Sequence, residues 1–597
     1  MDKAKIIVVG AGPTGLTAAI LLRQRGYAPV VLDRRAGPTS YPAAHVANTR
    51  TIEILAEMGV AEQVWETGDT NAMSSLVVWL ESMAGREYGI LPIKGAVHDD
   101  RGPLSAYRSV NIPQTKLEAI LYERLVKLGG AVRYNCEVSD VREEGSQVFV
   151  SLKAEKGSEQ SVLTCDWVLG CDGASSQVRR SIGIDMIGPK TIARFMTIYF
   201  EADLDRYRTN RKALLYWIGG PAARGVFICF DEVGRKWAML VPIGDLAVDS
   251  FSDMSAIRIV QKAIGDLSAP ITLNAVSSWN MSAQVATDFR RGRVLLAGDA
   301  CHRFPPTGGL GMNTGIQDAH NLIWKLSAVI DCRAPETLLD TYEVERRPIA
   351  QRNTAQSVHN LQKMGMIDAA LGIATLAPVA ADAGEGPITI WPAELLGIDD
   401  GIENAAERRA QVQGAIDEQS EHFAQGAGLD LGFSYAQGAF VPDGSQPPSI
   451  SPSTYRPDAH PGARLPFSSP DGRFQSSTLA SVDGSAITLF AQDLRWAQVA
   501  ALAADSSGCD IKTVFFGEGA RDFGPMASDL LGITKSGAVA VRPDGHVLWR
   551  ARAWIESAGN DLAHAATICF GIKTDALDPI PAGSIESLTS MELPTGA

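Results

Sequence analysis

The feature that most constrains the fold is a strand, a glycine turn and a helix within the first 35 residues. Ile6–Val9 is a continuous apolar run, as expected of a strand covered on both sheet faces. The turn Gly10-Ala11-Gly12-Pro13-Thr14-Gly15 follows, then helical patterning over Leu16–Arg25 with Gly26 as its stop. A second strand over Ala28–Leu32 closes on Asp33. Glycines at this spacing permit a tight turn and let the backbone approach a pyrophosphate at the helix N-terminus. An acid at the end of the second strand can accept from ribose hydroxyls. The pattern predicts a βαβ dinucleotide unit and does not separate FAD from NAD(P).

Two further segments carry chemistry. Trp167–Gly170 reads as a strand and runs into Cys171-Asp172-Gly173 and SSQVRR, which includes Arg179. An Asp-Gly pair alone is a turn signal; its order between the two glycine loops gives it weight. Residues 293–326 read RVLLAGDACHRFPPTGGLGMNTGIQDAHNLIWKL. Strand-like Val294–Ala297 meets Gly298-Asp299, then Pro305-Pro306, then a loop with Gly308, Gly309 and Gly311, then an amphipathic helix. An aspartate at a strand end can hold a sugar-alcohol hydroxyl. A glycine loop opening a helix offers bare N–H groups and a positive dipole end, which suits a cofactor with an anionic edge.

At 597 residues the chain has room for two or three domains. Its 54 basic against 68 acidic residues give a net charge of −14, which argues against a broad nucleic-acid surface. None of the eight cysteines forms a CxxC pair, so free and mostly buried thiols in a reducing compartment are expected, and no metal site. The N-terminus lacks a signal-peptide pattern, and apolar Ala369–Ala381 is too short to span a bilayer. A cytoplasmic protein without membrane contact is expected. Residues 50–58, 114–128, 314–330 and 336–364 read as helices. Alternation in Phe195–Glu201, Gly225–Phe230 and Trp237–Pro242 predicts antiparallel strands. Residues 425–460 are rich in Gly, Pro and Ser and read as a linker or long loop; a further α/β segment follows, with strands at Ala486–Phe490, Lys512–Phe516 and Ala538–Val541.

Taken in order, GxGxxG at 10–15, "DG…VRR" at 172–180 and "GDAxHxxPPxxGxGxNxGxxDxxNLxWKL" at 298–326 resemble the single-component FAD-dependent aromatic hydroxylases, the p-hydroxybenzoate hydroxylase class. The longer phenol-type branch is the most similar in layout: phenol hydroxylase, 2,4-dichlorophenol hydroxylase and 2-hydroxybiphenyl monooxygenase. "HPGARLPF" at 460–467 and "VRPDGHVLWR" at 541–550 resemble that branch's C-terminal thioredoxin-like domain. The resemblance implies an α/β chain: a Rossmann-like FAD-binding fold over 1–75, 101–185 and 285–365. It implies an inserted antiparallel substrate-binding sheet over 76–100 and 186–284. A helical connection at 366–424, the linker and a thioredoxin-like domain without CxxC at 461–597 complete the division.

The resemblance also implies roles. Gly10, Gly12, Pro13, Thr14 and Gly15 cradle the FAD pyrophosphate, and Asp33 with Arg34 meets the adenosine ribose. Arg50 and Gln114 contact the FAD phosphates and ribityl region, and Asp299 holds the ribityl chain. Gly311, Met312 and Asn313 lie beside the pyrimidine edge, where a helix N-terminus stabilises the reduced flavin's charge. Asp172 and Arg179 serve FAD and a transient NADPH or NADH. Relatives often carry Arg near position 43, where this chain has Pro42-Ala43-Ala44.

His45 stands five positions before Arg50-Thr51, where yeast-type phenol hydroxylase has an aspartate. A phenol of pKa about 10 must lose its proton to become an electron-rich ring, and a histidine can take it. A structural histidine bonded to backbone is the other reading. Tyr199, Tyr216, Trp217, Met239 and Pro305 could line an aromatic substrate pocket or simply the sheet's own core. The expected reaction is hydroxylation of a small phenolic substrate, ortho to its hydroxyl, by O2 through a C4a-hydroperoxyflavin, in a homo-oligomer with a dimer favoured. Baeyer–Villiger, ipso-hydroxylation or epoxidation chemistry on a non-phenolic substrate is the alternative. A non-catalytic flavoprotein or scaffold is the third.

Overall fold

The computed structural model describes residues 5–69, 76–93, 98–99, 101–153, 161–209, 211–220, 222–231, 235–244, 246–371, 404–423 and 426–572. Most of Ala369–Ala381, much of the 366–424 connection and residues 573–597 lie outside these.

The apolar run Ile6–Val9 forms the centre of a six-stranded sheet. Trp167–Gly170 pairs with it on one side and Val30–Leu32 on the other, both parallel. Val294–Leu296 extends the sheet beyond Trp167–Gly170, and Val132–Arg133 extends it beyond Val30–Leu32. Arg290–Arg291 ends it as an antiparallel edge. Five helices are used below: α1 (Pro13–Gln24), α2 (Thr49–Glu57), α3 (Gln114–Lys127), α4 (Leu310–Ile330) and α5 (Asp340–Ala370). All three glycine or aspartate motifs leave the carboxyl ends of parallel strands, the side of such a sheet where ligands bind.

The alternating segments form a seven-stranded sheet that also recruits Leu76–Leu80 and Glu87–Pro92. Its pairs are antiparallel except Leu215–Gly220 with Leu76–Leu80. Period-two alternation divides its side chains between two faces. Met196, Ile198, Phe200, Tyr216, Phe227, Trp237 and Met239 pack with the apolar side of helix Asp253–Ile264. Val77, Trp79, Leu215, Val226 and Ile228 pack toward Ile367 of α5 and Val412 and Ile416 of helix Ala405–Asp417.

The last segment forms a four-stranded sheet in the order Ile511–Phe515, Ile487–Ala491, Ala538–Val541, Val547–Ala551. The first pair is parallel and the others antiparallel. The stretch before it corrects the linker reading. Leu429, Leu431, Phe433, Tyr435, Ala439, Phe440, Tyr455 and Ala459 are buried. Phe433, Tyr435 and Phe440 belong to one hydrophobic core that also holds Ile6–Val9 and Phe490. Beyond the short helix Ala427–Leu431, Gly and Pro keep this stretch out of regular structure, but its aromatic residues still leave water. All eight cysteines are free, and five are buried. Among the described residues no helix is long and apolar enough to cross a membrane.

A buried charge network joins this last sheet to α4 and α5. Glu345 of α5 accepts from Lys325 Nζ of α4 and Arg542 Nη1, at 2.7 and 2.6 Å. Asn321 Nδ2 and the Ala439 amide also donate to it, at 2.7 and 2.9 Å. Asp544 takes Arg542 Nη2 at 2.5 Å. Burial alone would raise the Glu345 carboxyl, but Arg542 and Lys325 outweigh it and hold the group down at about 2. Burial brings the Lys325 ammonium down to about 8 despite Glu345.

Because Glu345 is depressed in the folded state, its contribution is complete above the ordinary glutamate value and is lost as pH falls toward 2. Glu345→Gln should lower stability at neutral pH by about 3–5 kcal/mol, the usual loss when one partner of a buried pair is removed. Urea unfolding measures this. Equal stability of the variant and the native chain, or identical losses in acid, would refute the network's contribution.

Candidate active site

The glycine turn is set by backbone contact. Gly10 has φ +104°, and a Cβ there would overlap the Cys171 carbonyl. A Cβ on Gly15 would overlap the Gly10 carbonyl. Gly12 differs: a Cβ there meets nothing nearer than Glu118 Oε1 at 4.0 Å. Two glycines thus pack the turn and the third faces open space. Pro13 opens α1, no side chain caps it, and its first turn carries no acid. The first N–H groups of a helix have no partner within the helix, so this end is suited to an anion.

Thr14 joins the first motif to the third. A Cβ on Gly298 would stand 2.7 Å from Thr14 Oγ1, and one on Gly315 would overlap the same oxygen. The Thr14 side chain fills the space these two glycines leave. Arg179 Nη1 donates to the Ala300 carbonyl at 2.8 Å, which ties the second motif to the third. Asp172 turns inward and caps the short helix Gln177–Ser181, accepting from the Gln177 and Val178 amides at 2.6 and 3.0 Å. Arg179 braces one motif against another, whereas Asp172 braces its own.

Asp33 accepts from the Ala11 amide at 2.7 Å and from Arg35 through its amide, Nε and Nη2. These bonds engage all the lone-pair sites a carboxylate offers, so a ribose hydroxyl there would replace an Arg35 bond. Arg35, which sequence reasoning passed over, also meets Glu118 at 3.1 Å. Arg34 is exposed, because successive residues of an extended chain point to opposite sides. Gln114 opens α3, donating to Glu118 Oε1 at 2.7 Å and, through its amide, to the Ala44 carbonyl at 2.8 Å. It stands beside the open face of Gly12.

Arg50 is corrected. Its guanidinium is buried and donates to Glu53 Oε2 at 3.2 Å and the Asp544 carbonyl at 3.1 Å. Arg464 also pairs with Glu53, through Nε at 2.8 Å and through Nη2. A buried cation needs a partner, and Glu53 lies one helical turn away. Arg50 therefore serves the contact with the last segment rather than a phosphate.

Asp299 is exposed beside the start of α4, with the Cβ position of Gly311 3.9 Å from its Oδ1. Surrounding protein desolvates its carboxyl and raises it, partly offset by His302 and Arg303. Gly309 (φ +64°) precedes α4, which has no side-chain cap and no acid in its first turn. Met312 is half-buried. The Asn313 side chain is spent on structure: Oδ1 accepts from the Asn48 amide and Thr51 Oγ1, at 2.9 and 2.7 Å. Its Nδ2 donates to the Val46 and Gly309 carbonyls at 3.0 and 2.7 Å. Only its backbone is left for a ligand. His302 shapes the loop: its Nε2 meets Asp318 Oδ2 at 2.6 Å, while Arg346 Nε donates to Asp318 Oδ1 at 2.8 Å. Burial would raise Asp318; His302 and Arg346 outweigh this and lower it.

His45 Nδ1 lies 3.0 Å from Asn111 Oδ1, and its carbonyl accepts from the Ile112 amide at 2.8 Å. An amide oxygen only accepts, so this assignment puts the proton on Nδ1 and leaves Nε2 basic. Burial lowers the His45 value, and the Asn111 bond opposes that. Its ring stands edge-on to Phe230 at 6.2 Å. Tyr199, 6.5 Å from the same phenylalanine, donates to the Pro42 carbonyl at 3.2 Å.

An aromatic cavity of about 140 Å³ lies on the same sheet face, lined by Trp79, Phe195, Trp217, Leu240 and Trp279. Pro306 and Thr307 close it from the glycine loop, and Leu361 and Met364 of α5 from the other side. Trp217 was foreseen. Tyr216 and Met239 are corrected: they face the opposite side and pack in the core with Asp253–Ile264. Pro305 is buried while its neighbour Pro306 lines the cavity. Strict alternation along Phe195–Glu201 and Trp237–Pro242 carries the signal that would have found Phe195 and Leu240.

The open face of Gly12, two uncapped helix ends and the Asp299–Gly311 wall fit a dinucleotide with an anionic edge. The profile of a family described as "FAD binding domain" matches residues 3–357. The chain belongs to that family, and FAD is its cofactor. It is 30% identical over 593 residues to the 2,4-dichlorophenol 6-monooxygenase of Cupriavidus pinatubonensis (strain JMP 134 / LMG 1197), covering 96% of this chain and 97% of that protein. It is 29% identical over 576 residues to the phenol 2-monooxygenase of Pseudomonas sp. (strain EST1001), covering 93% and 90%. The crystal structure of the flavin-dependent monooxygenase PieE in complex with FAD and substrate is similar with a TM-score of 0.85 at 31% identity, over 96% of this chain and 99% of that one. The chain is an FAD-dependent monooxygenase of the aromatic-hydroxylase type.

Gly298→Ala tests the packing around Thr14. A left-handed backbone at φ +64° costs a non-glycine residue about 1–2 kcal/mol, and overpacking adds about 1–3. Melting temperature and FAD affinity should both fall, read by calorimetry and by flavin fluorescence titration. A variant matching the native chain in both would show that the contact does not shape the cleft.

Proposed function

We propose that this monooxygenase hydroxylates a single-ring phenol, ortho to its hydroxyl, with His45 as the base. The observation that carries this reading is His45 itself: a histidine with its Nδ1 proton engaged by Asn111 and its ring edge-on to Phe230, a residue of the sheet that also supplies the cavity's Phe195 and Trp217. Two relatives named for phenolic substrates support it over non-phenolic outcomes. A cavity of about 140 Å³ also supports a single ring, since an engineered apolar cavity of about 150 Å³ takes up benzene.

FAD held here would supply the redox chemistry, carrying two electrons from NADPH or NADH to O2 so that one oxygen atom could enter the ring and the other leave as water. The protein binds and orients. The Gly12 turn and α1 would hold the pyrophosphate, with Gln114 beside it, and Asp33 would hold the ribose. Asp299 would hold the ribityl chain, and the backbone N–H groups of Gly311–Asn313 would meet the pyrimidine edge. His45 Nε2 takes the phenol proton. Removing that proton at pH 7 costs about 4 kcal/mol for a phenol of pKa about 10. Because burial lowers the His45 value, the imidazole is neutral, and so able to accept, at neutral pH. Trp217, Phe195 and Trp279 supply flat apolar walls for the ring.

The finer fold reading is part of the same proposal. Parallel strands around Ile6–Val9 with the glycine turn support a Rossmann-like unit over 1–75, 101–185 and 285–365. The strand order and mixed direction of the last sheet support a thioredoxin-like domain. Where a CxxC would open its first helix stand Asp493 and Arg495, ion-paired at 2.5 Å, with Arg495 over the Trp554 ring. Burial raises the Cys509 and Cys569 thiols, so this domain serves packing rather than redox exchange. Eight free thiols suit a cytoplasmic location.

His45→Ala should retain FAD and lose about 10²–10⁴-fold in phenol hydroxylation at pH 7, with the deficit shrinking as pH approaches the phenol's own pKa. Product formation and phenol-stimulated NAD(P)H consumption measure it. A variant with native rate and pH profile would remove His45 from the reaction. If no phenol accelerates NAD(P)H consumption by the native protein, the substrate class itself is wrong.

A further inference from the structure

The short helix Ala427–Leu431 packs against α2, where no sequence motif marks it. Asp430 Oδ1 accepts from Asn48 Nδ2 at 2.7 Å. Asn48 cannot turn its amide around, because its Oδ1 accepts from the Thr51 amide at 2.9 Å. The Asn48 backbone amide donates to Asn313 Oδ1 at 2.9 Å. Asn313 Nδ2 then donates to the carbonyls of Gly309 and Val46. A line of contacts thus runs from a carboxylate outside all three motifs, through the Asn48 side chain to its own backbone N–H and on to Asn313. It ends at the residue that opens α4 and at the neighbour of His45.

We propose that Asp430 is a positioning residue for the flavin, acting through Asn48 and Asn313 on the N-terminal turn of α4. The inference rests on the reading that the pyrimidine edge meets Gly311–Asn313. Asn48 presents a fixed donor, so Asp430 must offer an acceptor oxygen. An ionised carboxylate makes that bond about twice as strong as a neutral group does. The Asp430 bond fixes the Asn48 side chain, and through it the backbone whose N–H meets Asn313, so the change reaches Asn313 as a change of position.

The surroundings of Asp430 let its charge change. From α2 it faces the Asn48 amide, the Thr49 backbone N–H and the Glu53 carboxylate; from α5 it faces Arg352. Glu53 is already paired with Arg50 and Arg464. Arg352 donates to Asn353 Oδ1 and the Leu429 carbonyl, at 3.0 and 3.2 Å. Burial dominates and pushes the Asp430 carboxyl up to about 7. The group therefore gains its negative charge as pH rises through neutrality, while burial shifts His45 the opposite way, down from its ordinary value.

The test uses the full chain loaded with oxidised FAD and no substrate, followed by flavin absorption and fluorescence across the neutral pH range. The native protein should show a spectral shift with a midpoint near 7. Asp430→Asn should abolish the shift while still binding FAD. Asn48→Ala leaves the carboxylate but cuts the line, and should abolish it too, which keeps the test decisive if Asp430→Asn folds poorly. His45→Ala should retain the shift. A native spectrum without a shift, a shift that survives Asn48→Ala, or one lost in His45→Ala overturns the proposal. Failure of the underlying flavin placement reads differently: Gly311→Val would then leave FAD affinity unchanged.

Discussion

The cofactor cleft depends on one close approach, the Thr14 side chain filling the room that Gly298 and Gly315 leave. A methyl group on either glycine would meet Thr14, so α1, the Gly298-Asp299 loop and α4 come together at a distance no other residue permits. The Gly10–Cys171 contact repeats the device with the strand end at Gly170. Close-packed interiors transmit strain rather than absorb it. The relative position of the α1 and α4 helix ends, and of Asp299 between them, therefore follows from these few contacts. What lies further out, the Asp33–Arg35 pair and the Asn313–Val46 bonds, hangs on this frame.

A second constraint is electrical. Arg464 pairs with Glu53 of α2, and Arg542 with Glu345 of α5, which also takes Lys325 of α4. All of these side chains are essentially without solvent contact. Buried pairs of this kind add little net stability over apolar packing, yet each is costly to break from one side. Their effect is to admit one docking arrangement of the last segment against the cofactor helices. The shared hydrophobic core supplies the attraction and the charges choose the register.

The βαβ opening, the main helices and the strand pattern of the inserted sheet were legible because periodicity and glycine spacing are local. The same is true of Gly10, Gly12, Gly15, Asp33 and Asp299, each placed by a strand end or helix start. What sequence could not give was the use of each side chain. Arg50 reads as a phosphate ligand until Glu53, Arg464 and Asp544, far apart in the chain, are seen around it. Tyr216 and Trp217 are adjacent in sequence and opposite in space, so a pocket assigned by composition took both. Residues 425–460 looked like a linker because Gly, Pro and Ser outnumber their aromatics, but burial is decided by the few large side chains.

Synthesis gives the docked last segment another meaning. A chain leaves the ribosome from its N-terminus, and domains generally fold in that order. Here Glu53, Lys325 and Glu345 emerge long before Arg464, Arg542 and Asp544. Until those arrive, the growing protein must keep its acidic helix residues hydrated and the apolar flank of α4 uncovered. The packing of the last segment on α2, α4 and α5 is thus completed only after the chain has passed residue 544.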